Sequence, residues 1–118
     1  MTASDLKEAL HGKSEVELTV TGRKSGQEST RPIWFVEEED HLLLLPIHGT
    51  DTNWYRNIVK TPEIQLTANG AELRVSARPV EDADAVAATV EKFGEKYGAD
   101  RVSEYYPKQD GFIEVPLS

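Results

Sequence analysis

VTGRKSGQESTRPIWFV, residues 20–36, sets a basic, glycine-bounded turn between two segments patterned as β-strands. Before the turn, Val16, Leu18 and Val20 alternate with Glu17, Thr19 and Thr21, the period-2 signature of a half-buried strand. After it, Ser29 to Val36 is rich in β-branched and aromatic residues. Within it, Gly22 and Gly26 permit positive φ, Arg23 and Lys24 supply cationic donors, and Ser25 offers a hydroxyl. Backbone and side chains can then converge on one phosphate. The competing reading is an ordinary hairpin loop whose charges face water.

The strand pattern continues outward from this turn. The charge run Glu37 to Asp40 joins Ser29–Val36 to the apolar run His41–Ile47, which predicts a second hairpin. Asn69-Gly70, the preferred type I′ dipeptide, separates Ile64, Leu66 and Ala68 from Leu73, Val75 and Ala77 and predicts a third. Phe112 to Leu117 is a further short strand, placed at an edge or a strand end by Pro116, which has no N–H to donate. Helices are expected over Ser4–His11, closed by Gly12, and over Asp51–Lys60, stopped by Pro62. A third is expected over Asp82–Tyr97, where Val86, Val90, Phe93 and Tyr97 form a core stripe. About six mostly antiparallel strands with two or three helices make a mainly β chain, folded as a closed or nearly closed barrel whose helices cover an end or an opening. The 118 residues suit a single domain, 1–118.

Composition removes several classes of function. With 21 acidic and 13 basic residues and a formal charge of -8, the global field opposes nucleic acid and anionic membrane as partners. Cysteine is absent, so disulfides, thiol nucleophiles and thiolate metal sites are excluded. His11, His41 and His48 are scattered, which argues against a metal centre. The longest apolar run, Leu42 to Ile47, is far short of the ~20 residues of a membrane span. Met1 to Gly12 has no apolar leader core, so the cytoplasm is the expected compartment. No nucleophile elbow or phosphate-transfer loop is present.

TGRKSGQ, RPIWFV, a strand ending in IHG, and NWYRNIVKTPEI together resemble the deazaflavin (F420)-dependent nitroreductase family of the FMN-binding split β-barrel superfamily. The likeness runs from about Glu17 to Val80. It implies a split β-barrel with the cofactor in a groove, its phosphate held by Arg23, Lys24, Ser25 and Gln27. Pro32, Ile33 and Trp34 match the strand beside the ring, with Trp34 either a cofactor wall or a core residue. Arg31 replaces the family's usual small residue and adds a candidate phosphate contact. Trp54, Tyr55 and Asn57 match the aromatic pair and asparagine that pack on the groove, some of them as core anchors only. The loop before that helix departs from the family: Ile47-His48-Gly49-Thr50 stands where Ser-Lys-Gly-Gly is usual, so His48, beside Gly49, is either a replacement donor to the cofactor or a solvated loop histidine. Tyr105 and Tyr106 match C-terminal tyrosines near the substrate, as a proton donor or as rim packing.

The resemblance implies an oxidoreductase that passes a hydride from reduced coenzyme F420 to a small electrophile: a quinone, a nitroaromatic or an activated alkene. FMN is the alternative cofactor, because its single phosphate needs only the Arg23-Lys24 turn. A flavin or deazaflavin carrier without turnover is the non-enzymatic alternative. The superfamily's habit of pairing barrels implies a homodimer.

Overall fold

The computed structural model describes residues 3–117. Its strands are β1 (Val16–Thr21), β2 (Glu28–Ile33), β3 (Phe35–Glu37), β4 (His41–Leu44), β5 (Glu63–Ala68), β6 (Ala71–Ser76), β7 (Arg78–Val80) and β8 (Phe112–Pro116). Its α-helices are α1 (Ala3–Leu10), α2 (Asn53–Lys60), α3 (Ala83–Tyr97) and α4 (Ala99–Tyr105). One four-stranded sheet has the order β2-β1-β5-β6 and the other β3-β4-β8-β7, with every ladder antiparallel.

Two strands turn a corner from one sheet to the other. β2 runs into β3 through Trp34, and β6 runs into β7 through Ala77, so both edges of the first sheet continue into both edges of the second. The eight strands are therefore six continuous runs, two of them bent, as the sequence pattern predicts. The single strand expected over Ser29–Val36 is broken at Trp34 because the barrel bends there.

The barrel interior holds Leu18, Leu42, Leu44, Leu66, Ile113 and Val115, with Leu6 and Leu10 of α1 and Trp54, Tyr55 and Ile58 of α2 packed into the same cluster. A second cluster forms outside the second sheet, where Val36, Leu43, Leu45 and Phe112 meet Val86, Phe93, Val102 and Tyr106 of the α3–α4 layer. Both faces of this sheet are covered, which explains why His41–Ile47 reads as a continuous apolar run rather than an alternating one.

Two expectations are corrected, the end of the helical region and the start of the second helix. α4 follows α3 directly across Gly98, at φ 102°, where the sequence pattern ends the helical region. Only Val102 of α4 is buried, too little periodicity to announce a helix. Of the two places that Pro116 left open, the strand end is the one taken: Pro116 is the last residue of β8, which is an inner strand. The second helix starts at Asn53 after a 3-10 turn over Gly49–Asp51, because the Thr52 hydroxyl is turned back to accept the His48 N–H (2.8 Å).

Asn69 and Gly70 form the predicted two-residue turn, at φ 47° and 82°. A Cβ added to Gly70 meets nothing within 4 Å, so a substitution there tests backbone conformation alone. Gly70→Ala is expected to cost about 1–2 kcal/mol, read as a lower urea midpoint with an unchanged slope.

Candidate cofactor site

The turn between β1 and β2 is closed by its own backbone and then tied to α2. Gly22 N donates to Gln27 O (2.8 Å), Gly26 N to Gly22 O (2.9 Å), and Gln27 N to Ser25 Oγ (3.2 Å). Gly26 takes positive φ, 72°, whereas Gly22 is there for space: a Cβ on it would lie 2.8 Å from Ser25 Oγ. Arg23 donates to Asn57 Oδ1 from its backbone N (3.1 Å) and from Nη1 (2.8 Å), and Lys60 Nζ donates to Arg23 O (2.8 Å). Asn57 is 9 % exposed, so its amide oxygen is a strut inside the fold and is already used.

This division of labour separates the two basic residues of the turn. Arg23 braces the turn against α2, while Lys24 makes no hydrogen bond or ion pair among the described residues. Arg31, exposed on β2, is equally uncommitted. Ser25 still has its hydroxyl proton to donate. The turn at the start of β2 therefore carries one free cation and a hydroxyl, and a second free cation stands further along the strand at Arg31.

β2 is exposed along nearly its whole length and is the outer strand of its sheet. Since Gly22 N bonds Gln27 O, antiparallel alternation turns the backbone groups of Ser29, Arg31 and Ile33 toward β1. The outward groups are those of Glu28, Thr30 and Pro32. Pro32 offers a carbonyl there without leaving an N–H unpaired, and Ile33 cannot present its backbone to a ligand. Thr19 and Thr30, paired in register, share a hydroxyl hydrogen bond of 2.7 Å that locks the hairpin.

Trp54 and Tyr55, expected on the groove, are 2 % and 1 % exposed inside the barrel. Helical spacing turns them inward with Ile58, so they anchor α2 and leave its outer side to Asn53, Arg56 and Lys60. Tyr55 donates to Glu81 Oε2 (3.0 Å), and burial raises its phenol well above the ordinary tyrosine range.

The loop before α2 is clasped by the segment before β8. Asp110 accepts from Thr50 N (2.8 Å) and Thr50 Oγ1 (2.9 Å), and Lys108 Nζ lies 2.6 Å from Asp51 Oδ2. Asp51 also accepts from Arg56 (3.0 Å), which commits that guanidinium within the fold. Gly49, at φ 56°, has no room for a Cβ, which would fall 2.0 Å from Asp110 Oδ1. His48 is exposed, and its backbone bridges to Lys108.

At the far end of β2, Trp34 lies flat on Tyr97 (4.2 Å between centroids, 7° between planes). Tyr105 is tilted against Trp34 at 4.7 Å and Tyr106 meets it edge-on at 6.0 Å. Tyr106 is 2 % exposed and packs on Phe93, which removes it from contact with any substrate, and burial raises its phenol. Tyr105, at 46 % exposure, is the open member of the pair. The Tyr97 hydroxyl accepts from Phe35 N (3.0 Å) and lies 2.8 Å from the carbonyls of Phe35 and Ser14. Sequence reasoning placed Tyr97 in a core stripe and passed over Arg101 and Asp110; only the added helix α4 brings Arg101 to within 5.9 Å of the Trp34 ring.

The profile of the F420H(2)-dependent quinone reductase family matches residues 2–104. The chain belongs to that family. An F420H(2)-dependent quinone reductase of Mycobacterium tuberculosis is 25% identical over 101 residues, covering 83% of this chain and 68% of that protein. A solved F420-H2 dependent reductase superposes with a TM-score of 0.67 at 22% identity, covering 86% of this chain and 93% of the other. A chain solved as a domain-swapped dimer has the same fold at TM-score 0.67 and 19% identity, with 95% and 93% covered. The architecture is thus the split barrel, and coenzyme F420 is the cofactor the family implies.

The residues fit an anionic coenzyme. Lys24, Arg31 and Ser25 offer uncommitted donors for phosphate and carboxylate, and the outward backbone of Thr30 and Pro32 lies along an open strand. No helix among the described residues is long and apolar enough to cross a membrane.

Two outcomes follow from this geometry. Asn57→Ala should leave Arg23 N–H without its partner and cost about 1–3 kcal/mol, seen as a lower denaturant midpoint and faster amide exchange at Arg23. Burial pushes the Tyr97 phenol up to about 12, above the unfolded value of 10.0. The unfolded chain then loses this proton first, so stability should fall as pH rises through that window, measurable as a midpoint dropping from about pH 9 to pH 11.

Proposed function

We propose that the chain is a single cofactor-binding domain that uses reduced F420 to reduce a small planar electrophile, with quinones as the leading acceptor class. The observation that carries this reading is the open face of β2, with a braced turn bearing the uncommitted Lys24 at one end, Arg31 uncommitted along the strand, and exposed aromatic surface at the other end. When bound, the coenzyme supplies a two-electron hydride donor.

The chain's own residues bind and position. Lys24, Ser25 and Arg31 hold the phosphate and the anionic tail, offsetting locally a net charge of -8. Gln27, just before β2, and His48, exposed in the loop before α2, are further donors to the coenzyme in this reading, and Gly49 keeps the His48 loop seated on Asp110. Pro32 O and Trp34 flank the ring. Tyr105 has an exposed hydroxyl that can donate a proton to the reduced product, the role earlier shared with Tyr106. The exposed outer edge of β2 and the swapped-dimer relative of the same fold support a homodimer.

The test is a parallel fluorescence titration of the protein with F420 and with FMN. Lys24→Ala and Arg31→Ala should each weaken F420 binding by about one to two decades, since a charge-assisted hydrogen bond is worth about 1.5–3 kcal/mol. A preference for FMN, or tight F420 binding with no acceptor reduced, would replace the reading with FMN chemistry or with a carrier.

A further inference from the structure

A recess of about 460 Å³ opens beside the Trp34 corner, lined by Trp34, Arg101, Glu104 and Tyr105. Its floor is aromatic: Trp34 with Tyr105 tilted against it at 4.7 Å. Its rim is charged, because helical spacing puts Arg101, Glu104 and Tyr105 on one side of α4 while Val102 points inward. Among the described residues Arg101 makes no ion pair and no hydrogen bond; its guanidinium carbon stands 5.9 Å from the Trp34 ring. Glu104 is likewise unpaired. A free guanidinium over an aromatic floor, in a protein of formal charge -8, is the one feature of this recess that attracts an anion rather than repelling it.

We propose that this recess is an acceptor subsite in which Arg101 selects planar aromatic molecules carrying a single anionic substituent on the ring edge. The aromatic body lies against the edge of Trp34 and the ring of Tyr105, where desolvation of aromatic surface supplies affinity without regard to charge. The substituent meets the guanidinium, whose planar fork matches a carboxylate or sulfonate. Glu104, three residues along the same helix face, penalises a second anionic group and fixes which edge points toward Arg101. This rests on the proposed F420-dependent reduction for its role in turnover, but the recess and its charge preference stand on the geometry of α4 alone.

The experiment is an equilibrium titration of the full chain with 2-naphthalenesulfonate and with the neutral 2-naphthalenesulfonamide, following the indole N–H resonance of Trp34. A separate fluorescence titration of the wild-type chain uses F420. The sulfonate is expected to bind at least about tenfold more tightly than the sulfonamide, as one charge-assisted contact allows. Arg101→Gln should erase that ratio, and Glu104→Gln should enlarge it. A ratio near one in the wild type, or a ratio unaltered by both substitutions, overturns the proposal. Failure of F420 to bind while the sulfonate preference persists would overturn the proposed reductase activity and leave the anion subsite standing.

Discussion

The fold depends on how the β2–β3 strand turns its corner. Bending a strand out of one sheet into another frees backbone groups that the ladder would otherwise use, and at Phe35 the free N–H and C=O are taken by side chains. The Tyr97 hydroxyl accepts from Phe35 N, and both that hydroxyl and Lys96 Nζ lie 2.8 Å from Phe35 O. The same tyrosine supplies the flat surface on which Trp34, the corner residue itself, is stacked. The Lys96 ammonium sits 3.5 Å above the Phe35 ring, and burial lowers its pKa. One turn of α3 thus holds the bend from outside, so the α3–α4 layer is part of the barrel's closure rather than an ornament on it.

The same corner connects fold to function. Because β2 must leave the first sheet at Trp34, it remains that sheet's outer strand up to this point, with no neighbour to cover it. The opening is therefore a consequence of closure by bent strands. What keeps the opening ordered is its two ends: Asn57 and Lys60 bracing Arg23 at one, Tyr97 under Trp34 at the other. An exposed strand pinned at both ends is a surface on which a ligand meets little reorganisation cost.

Local chemistry made most of this legible in the sequence. Asn-Gly announced its hairpin, Gly26 its positive φ, and the alternation of β1 its half-buried face, since each signal is carried by residues adjacent in the chain. Tertiary pairings were not legible. Nothing local says that Asn57 will spend its amide on Arg23, 34 residues away, or that Asp110 will fill the space beside Gly49. Trp54 and Tyr55 read equally well as groove walls or core anchors, because an amphipathic helix shows that one face is buried but not in which cavity. α4 was hidden because its single buried residue, Val102, carries no period.

These non-local pairings alter which side chains are left open to a ligand. A motif match treats Arg23 and Lys24 as interchangeable halves of one cationic turn, yet the structure gives them different work. Arg23 keeps its charge, but its backbone N and Nη1 are committed to Asn57 Oδ1 within the fold, so its loss would also act through the shape of the turn. Lys24 and Arg31 keep their charge available. Arg56, on the outer side of α2, is spent on Asp51, whose carboxyl is held below its ordinary value by Lys108 first and Arg56 second. The positive field beside β2 therefore comes from Arg23, Lys24 and Arg31, of which only Lys24 and Arg31 have all their donors open. In a chain this acidic, such a local group of cations is what the proposed seating of an anionic coenzyme on β2 requires.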